Sequence, residues 1–224
     1  MNLPREPKAV VFDLDGTLID SEALVREAYF TTSGQFGVAL SDTQFLSLVG
    51  LNRDDNDVRL RGYWGADFPL EDFHTANRAF LLQRVAPLKP GAIELMEALD
   101  DLGAPYALAT SSGPLWVERH FTAYKLADRF KAVITRADCT NGKPHPEPYL
   151  KVSAALGLAP MDVLALEDSH AGVRAAHAAG CMTIMIPDLL APNDEMRAKA
   201  LHVLDDLHGV RALLTSSALA GAER

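Results

Sequence analysis

The feature that most constrains the fold is a short apolar run followed at once by two carboxylates. Residues 9–12 are Ala-Val-Val-Phe, and Asp13, Asp15, Gly16 and Thr17 come directly after them. A β-branched apolar run without alternation is typical of a strand that is covered on both faces in a parallel sheet. Such sheets bind their ligands just beyond the carboxyl ends of their strands, where the two aspartates would lie. The alternative is an ordinary Asp-Gly turn followed by a threonine helix cap.

The region after this strand predicts a separate helical domain. Residues 18–88 contain one helical pattern after another and no strand pattern, and this is too long for a simple crossover between strands. We therefore predict an all-helical cap domain over residues 18–88, inserted in an α/β core made of residues 1–17 and 89–224. An inserted domain beside a site at the strand ends is a natural lid.

The rest of the chain alternates strands with helices. This pattern predicts a doubly wound, Rossmann-like parallel sheet with right-handed crossovers. The predicted strands are residues 9–12, 106–109, 130–135, 163–166 and 183–186. The last predicted helix covers residues 206–214, and residues 216–224 are expected to be frayed.

Polar side chains follow several of the predicted strands. Thr110 and Ser111 follow the second strand, and Glu167 and Asp168 follow the fourth. Because parallel strands end at one edge of the sheet, we expect these residues to meet Asp13 and Asp15 there. Lys143, in a proline-rich loop before a helix, can reach the same edge. Taken singly, the hydroxyl and acidic residues could be helix caps and Lys143 a solvated loop lysine.

The clustered carboxylates indicate a metal site and a phosphoryl-transfer chemistry. Four acids at one edge would repel each other unless a cation lies between them, and an oxygen-only set favours Mg²⁺. A carboxylate beside such an ion, with a lysine and a helix N-terminus near residues 111–115, suits a phosphoryl group. Asp13 would attack phosphorus, and Asp15 would protonate the leaving oxygen and then deprotonate water. Lys143 would hold the phosphate and keep the nucleophile ionised.

Composition excludes some partners. The net charge of −9 argues against nucleic acid, because a phosphate backbone calls for a basic face. No apolar run approaches the roughly 20 residues that cross a bilayer, and no secretory signal pattern is visible at the N-terminus. The two cysteines, Cys139 and Cys181, lack metal or redox spacing, so we expect them to be reduced in a cytoplasmic protein. We expect a monomer or a weak dimer.

The same residues resemble the four motifs of the haloacid dehalogenase-like (HAD) superfamily, in the right order. The matching segments are Asp13-Leu14-Asp15-Gly16-Thr17, Thr110, Lys143-Pro144 and Glu167-Asp168-Ser169. The helical insert resembles the cap of the β-phosphoglucomutase-like phosphatase branch. True dehalogenases of the superfamily lack the second aspartate, so Asp15 speaks against C–halogen cleavage.

The resemblance implies a role for each motif residue. Asp13 would be the nucleophile and Asp15 the general acid/base, while Thr110 and Lys143 would bind phosphate. Mg²⁺ would be held by the Asp13 carboxylate, the Asp15 backbone carbonyl and Asp168, with Glu167 bound directly or through water. The neighbouring Ser111 is a further candidate phosphate ligand.

The resulting hypothesis is a Mg²⁺-dependent phosphatase acting on a small phosphorylated metabolite, with a sugar phosphate favoured. The alternative within the family is a phosphosugar mutase, whose members carry a histidine and a lysine at cap positions that correspond here to Val25 and Val49. The arginine of the family's Gly-x-x-Arg cap turn does match, as Arg53, and would contact an anionic substrate. It could equally be a surface arginine paired with Asp54 or Asp57. A response-regulator receiver domain is the alternative outside the family, but it has no helical insert after its first strand.

Overall fold

The computed structural model of the chain describes residues 3–49, 51 and 53–222, and it separates into two compact units. One unit comprises Met1–Asp20 with Pro87–Arg224, and the other comprises Ser21–Ala86. The predicted cap boundaries, residues 18 and 88, lie three and two residues outside this division. The reason is that Ile19 forms isolated bridges with Asp15 and Leu88, so both connecting segments pair within the first unit.

The first unit is built on a parallel sheet of six strands within the described residues. Its strand order is β3-β2-β1-β4-β5-β6, and all neighbouring strands run parallel. The strands are β1 Ala9–Phe12, β2 Tyr106–Ala109, β3 Val133–Ile134, β4 Val163–Glu167, β5 Met182–Met185 and β6 His202–Val203. The helices of this unit are α5 Ala92–Asp101, α6 Pro114–Tyr124, α7 Glu147–Ala155, α8 His170–Ala179, α9 Asp194–Lys199 and α10 Leu207–Ala222.

The register of the central strands aligns their carboxyl ends. Phe12 of β1 lies opposite Leu108 of β2 on one side and Leu166 of β4 on the other. Every residue of these three strands is buried, as expected for strands covered on both faces. The next residue of β1, Asp13, therefore lies between Ala109 and Glu167 at the edge where parallel sheets place their ligands.

The second unit contains four helices among the described residues: α1 Glu22–Gln35, α2 Asp42–Leu48, α3 Arg53–Trp64 and α4 Leu70–Leu82. Aromatic rings form its core. Phe73 is fully buried, and the ring of Trp64 lies 5.0 Å from it.

Several element boundaries differ from the sequence predictions. The third strand is only Val133–Ile134, because Phe130 packs its ring 5.0 Å from that of Tyr106 instead of continuing the strand. The sequence prediction missed α9 and β6, since β6 is a two-residue edge strand without an apolar run. The last helix extends to Ala222, so the expectation that residues 216–224 are frayed was wrong for residues 216–222, where an alanine-rich composition favours helix. No helix in the described ranges has the length and apolar character required to span a membrane.

Candidate active site

Asp13 lies at the centre of the polar cluster at the sheet edge. Its backbone N–H donates a hydrogen bond to the carbonyl of Leu166 at 3.0 Å, which fixes the residue against β4. The residue is only 6% exposed. Burial raises the pKa of Asp13 to about 7, an effect that Lys143 opposes and that Glu167 and Asp15 reinforce. A buried carboxylate at a strand end with a raised pKa is a candidate for a functional group.

Lys143 links the two central strands to the loop before α7. Its ammonium group donates to Asp13 Oδ1 at 2.5 Å, to Glu167 Oε1 at 2.5 Å and to the carbonyl of Ala109 at 2.8 Å. Burial alone would lower the pKa of Lys143, but the two carboxylates raise it above its usual 10.5. The side chain therefore provides a fixed positive charge directly beside Asp13.

Glu167 is completely buried and is contacted by α7 and by the residue that caps α8. The hydroxyl of Tyr149, on α7, donates to its Oε1 at 2.5 Å, and Ser169 Oγ lies 3.3 Å from its Oε2. A Cβ added at Gly172, in the first turn of α8, would overlap the Glu167 carboxylate. The carboxylate therefore occupies a space that only a glycine at this position leaves open.

Asp168 completes a group of three carboxylates. Single ligand oxygens of Asp13, Glu167 and Asp168 all lie within 4.8 Å of one another. Burial raises the pKa of Asp168 well above its ordinary value, and the charges of Asp13 and Glu167 add to the rise. Gly16, with φ +77°, turns the chain beneath this group, and a Cβ there would collide with the Asp168 carboxylate. Such a group of buried oxygens can accommodate a hard divalent cation.

The carboxylate of Asp15 faces residues that follow β2. Ser112 Oγ lies 2.5 Å from Asp15 Oδ2 and donates to it, and Trp116 Nε1 donates to Asp15 Oδ1 at 2.9 Å. The hydroxyl oxygen of Thr110 accepts a hydrogen bond from the backbone N–H of Ser112 at 2.9 Å, and this bond stabilises the turn of the loop. Ser111 lies between them and is exposed. The loop after β2 therefore brings hydroxyl groups and the start of α6 to the edge that carries Asp13.

Comparison with known proteins identifies the family. The sequence model of the haloacid dehalogenase-like hydrolases matches residues 10–186, which include every motif residue described above. The chain belongs to the HAD-like hydrolase family. Hexitol phosphatase B of Escherichia coli (strain K12) is 34% identical over 200 residues, which cover 87% of this chain and 90% of that protein.

Solved structures agree with this family. CbbY from Rhodobacter sphaeroides, in complex with phosphate, is 27% identical with a TM-score of 0.76, over 90% of this chain and 95% of that one. A Thermotoga maritima protein with the provisional name β-phosphoglucomutase is 26% identical with a TM-score of 0.77, over 95% and 99% of the two chains. These findings confirm the predicted family, its β-phosphoglucomutase-like branch, the α/β fold and the class of phosphoric monoester hydrolases.

The remaining predicted site residue of this HAD-like hydrolase, Arg53, lies in the helical unit. Its guanidinium group pairs with Glu71 at 2.9 Å and lies 4.0 Å from Asp57. His74 Nε2 lies 2.7 Å from the same Asp57, so these four side chains form one polar network on α3 and α4. Of the two surface partners considered from the sequence, Asp57 is present and Glu71 takes the closer position. Gly50 and Asn52 of the predicted cap turn lie outside the described residues.

Sequence reasoning assigned no role in the site of this HAD-like hydrolase to Ser112, Tyr149, Trp116 or Asp188. Tyr149 and Trp116 donate hydrogen bonds to Glu167 and Asp15 from α7 and α6. Asp188 follows the fifth predicted strand and pairs with Lys89 at 2.9 Å, while its buried Oδ2 has no hydrogen-bond partner. A Cβ at Gly16 would lie 3.2 Å from that oxygen, so Asp188 adjoins the carboxylate group. A carboxylate shortly after the predicted strand 183–186, separated from it by Pro187, was the signal that could have found it.

Proposed function

We propose that this protein is a Mg²⁺-dependent phosphatase that hydrolyses a small phosphorylated metabolite, a sugar phosphate in particular, through an aspartyl-phosphate on Asp13. The observation that carries the proposal is the position of the Asp13 carboxylate at the end of the central strand. It is bonded there to Lys143 and lies within 4.8 Å of Glu167 and Asp168. Aspartate is an established covalent nucleophile in phosphoryl transfer.

The residues present fit a magnesium ion. All three side chains offer only carboxylate oxygens, and with the Lys143 ammonium the group carries two net negative charges when fully ionised, which a divalent cation balances. We propose that Asp13, Asp168 and the Asp15 backbone carbonyl hold Mg²⁺, with Glu167 bound directly or through water. When bound, the ion would offset the charge of the phosphate oxygens as they approach the acidic group.

The chain's own residues supply the remaining chemistry. Asp13 attacks phosphorus and forms the phosphoenzyme as the bond to the leaving alkoxide breaks, and Asp15 donates a proton to that alkoxide. Asp15, now ionised, then removes a proton from a water molecule that attacks the same phosphorus. Inorganic phosphate leaves, and Asp13 regains its free carboxylate. Lys143 stays charged throughout, so it stabilises the negative oxygens of the transferring group in both steps.

The loop after β2 is proposed to bind the phosphate. Thr110 and Ser111 offer hydroxyl and backbone groups, and the start of α6 contributes the positive end of its helix dipole. Because Asp13, Glu167 and the Ala109 carbonyl already use the three donors of Lys143, the phosphate would share one of these donors. These residues lie on or near the same sheet edge as the nucleophile, which supports a single phosphate position opposite Asp13.

The helical unit is proposed to act as the cap that excludes water and contacts the rest of the substrate. Both connecting segments start from the sheet edge, because Ile19 bridges to Asp15 and to Leu88. Arg53 is the proposed cap residue for an anionic or hydroxylated substrate group. Because Arg53 is paired with Glu71, a substrate anion would have to compete with that carboxylate.

The packing of the cap favours a phosphatase over a mutase. Val25 and Val49, the positions that correspond to the mutase histidine and lysine, both pack against the apolar core of the helical unit. They supply neither a proton donor nor a cation. The name of hexitol phosphatase B supports a hexitol phosphate as the substrate class, and a structure of CbbY from Rhodobacter sphaeroides in complex with xylulose-(1,5)bisphosphate supports other sugar phosphates.

Phosphate release from a panel of hexitol, hexose and pentose phosphates, with Mg²⁺ or with EDTA, tests the proposal. We expect Mg²⁺-dependent release of inorganic phosphate with at least one sugar phosphate. β-Glucose 1-phosphate separates the two alternatives, because a mutase accumulates glucose 6-phosphate and a phosphatase releases phosphate. Turnover in EDTA at the full rate would overturn the metal assignment.

A further inference from the structure

The two oxygens of the Asp15 carboxylate have different kinds of hydrogen-bond partner. Oδ1 accepts from Trp116 Nε1 at 2.9 Å, and Oδ2 accepts from Ser112 Oγ at 2.5 Å. An indole N–H can only donate, whereas a hydroxyl can donate or accept. With one donor on each oxygen, the two contacts together fix the orientation of the carboxylate plane.

Both partners are rigidly supported. The backbone N–H of Ser112 donates to Thr110 Oγ1 at 2.9 Å, and its carbonyl accepts from the N–H of Arg136 at 2.9 Å. The carbonyl of Trp116 accepts from His120 Nδ1 at 2.9 Å, and the two rings lie 4.2 Å apart in an edge-to-face arrangement. His120 is fully buried, so its ring is held in place by the surrounding packing. The two side chains that donate to Asp15, Ser112 and Trp116, are therefore held in place by their own hydrogen bonds.

We propose that Trp116 and Ser112 are positioning residues that hold the Asp15 carboxylate in one orientation. Trp116 Nε1 fixes Oδ1 and Ser112 Oγ fixes Oδ2, so each oxygen is held by a donor that follows β2. A carboxylate held at both oxygens does not rotate freely, so a substrate bound at Asp13 meets it in a defined position. The inference rests on the role proposed above for Asp15 as general acid and base.

The dependence of the rate on the leaving group tests this assignment. A nitrophenolate leaves without a proton, whereas the alkoxide of a hexitol phosphate needs one, so loss of a positioned acid slows only the second substrate. We expect Trp116→Phe and Ser112→Ala to lower kcat/KM for a hexitol phosphate by about 10-fold or more, and that for p-nitrophenyl phosphate by less than about 3-fold. Trp64→Phe is the matched control, since it removes an indole N–H that donates to the Ala39 carbonyl in the helical unit.

Three results separate the possibilities. Equal losses on both substrates in Trp116→Phe and in Ser112→Ala would indicate a general structural effect and overturn the inference, as would no loss on either substrate. Asp15→Asn should give the same selective loss, larger in size. If Asp15→Asn slows both substrates equally, the proposed role of Asp15 is wrong. If Asp15→Asn is selective for the hexitol phosphate but Trp116→Phe and Ser112→Ala are not, only the present inference fails. Circular dichroism and thermal unfolding of each variant verify that the fold is kept.

Discussion

Replacement of Gly172 by alanine tests how the acidic cluster is held together. The added Cβ would overlap both oxygens of the Glu167 carboxylate, so that group would have to move by more than about 1 Å. Its Oε1 bonds Lys143 and Tyr149 at 2.5 Å each, and such a shift stretches both contacts to the limit of a hydrogen bond, about 3.5 Å. Lys143 would then lose one of its two carboxylate partners.

The magnitude follows from the burial of these groups. Breaking a buried, hydrogen-bonded ion pair costs about 3–5 kcal/mol, and replacing a helical glycine by alanine regains up to about 1 kcal/mol. We expect Gly172→Ala to lower the free energy of unfolding by about 2–4 kcal/mol, or Tm by roughly 5–15 °C. Turnover should fall by about 10-fold or more, because Lys143 no longer has a fixed position beside Asp13.

Gly62→Ala provides the control within another helix. Gly62 lies inside α3, and a Cβ there has no atom within 4 Å, so the substitution should stabilise the protein by about 0.5–1 kcal/mol and leave turnover unchanged. Urea unfolding and phosphate release measure both variants. A Gly172→Ala protein as stable and as active as wild type would refute the placement of Glu167 against α8.

Three further predictions concern the nucleophile, its charge and the cap. Asp13→Asn should keep the fold and lower phosphate release by on the order of 10⁴-fold or more; wild-type turnover would remove Asp13 from the mechanism. In the metal-free protein, burial raises the pKa of Asp13 from 3.8 to about 7. The contribution of Asp13 to the free energy of unfolding is therefore complete below pH 3.8 and is lost as the pH rises through about 7. Urea unfolding in EDTA should therefore show wild type losing more stability than Asp13→Asn between about pH 5 and pH 8; parallel profiles would contradict this. Arg53→Ala should raise KM for a sugar phosphate more than it lowers kcat, and an unchanged KM would show that Arg53 serves only its ion pair with Glu71.

The part of the site that could be predicted from the sequence is the part attached directly to strand ends. Asp13, Thr110, Glu167 and Asp168 each follow a buried apolar run, and parallel strands end at a common edge, so their meeting follows from topology alone. Lys143 could be included because the loop that carries it precedes a helix on the same sheet.

Residues on helices were harder to predict, because the direction of a side chain depends on packing. Tyr149 and Trp116 fit an apolar helix face, and nothing in their spacing indicates that one hydroxyl reaches Glu167 and one indole N–H reaches Asp15. Position 172 needs a glycine because the Glu167 carboxylate fills the space beside it. Glu167 precedes α8, so the periodic pattern of that helix does not reveal this contact. Short edge elements such as β6 were missed because two residues give no periodicity.

The phosphoenzyme itself is the most direct test of the proposed chemistry. Wild-type protein mixed with a sugar phosphate and Mg²⁺ would be quenched in acid within one turnover, digested and examined by mass spectrometry. We expect a single phosphorylated peptide with the phosphate on Asp13, absent from Asp13→Asn. Phosphate released at the normal rate without any labelled peptide, or a label on another residue, would contradict the account.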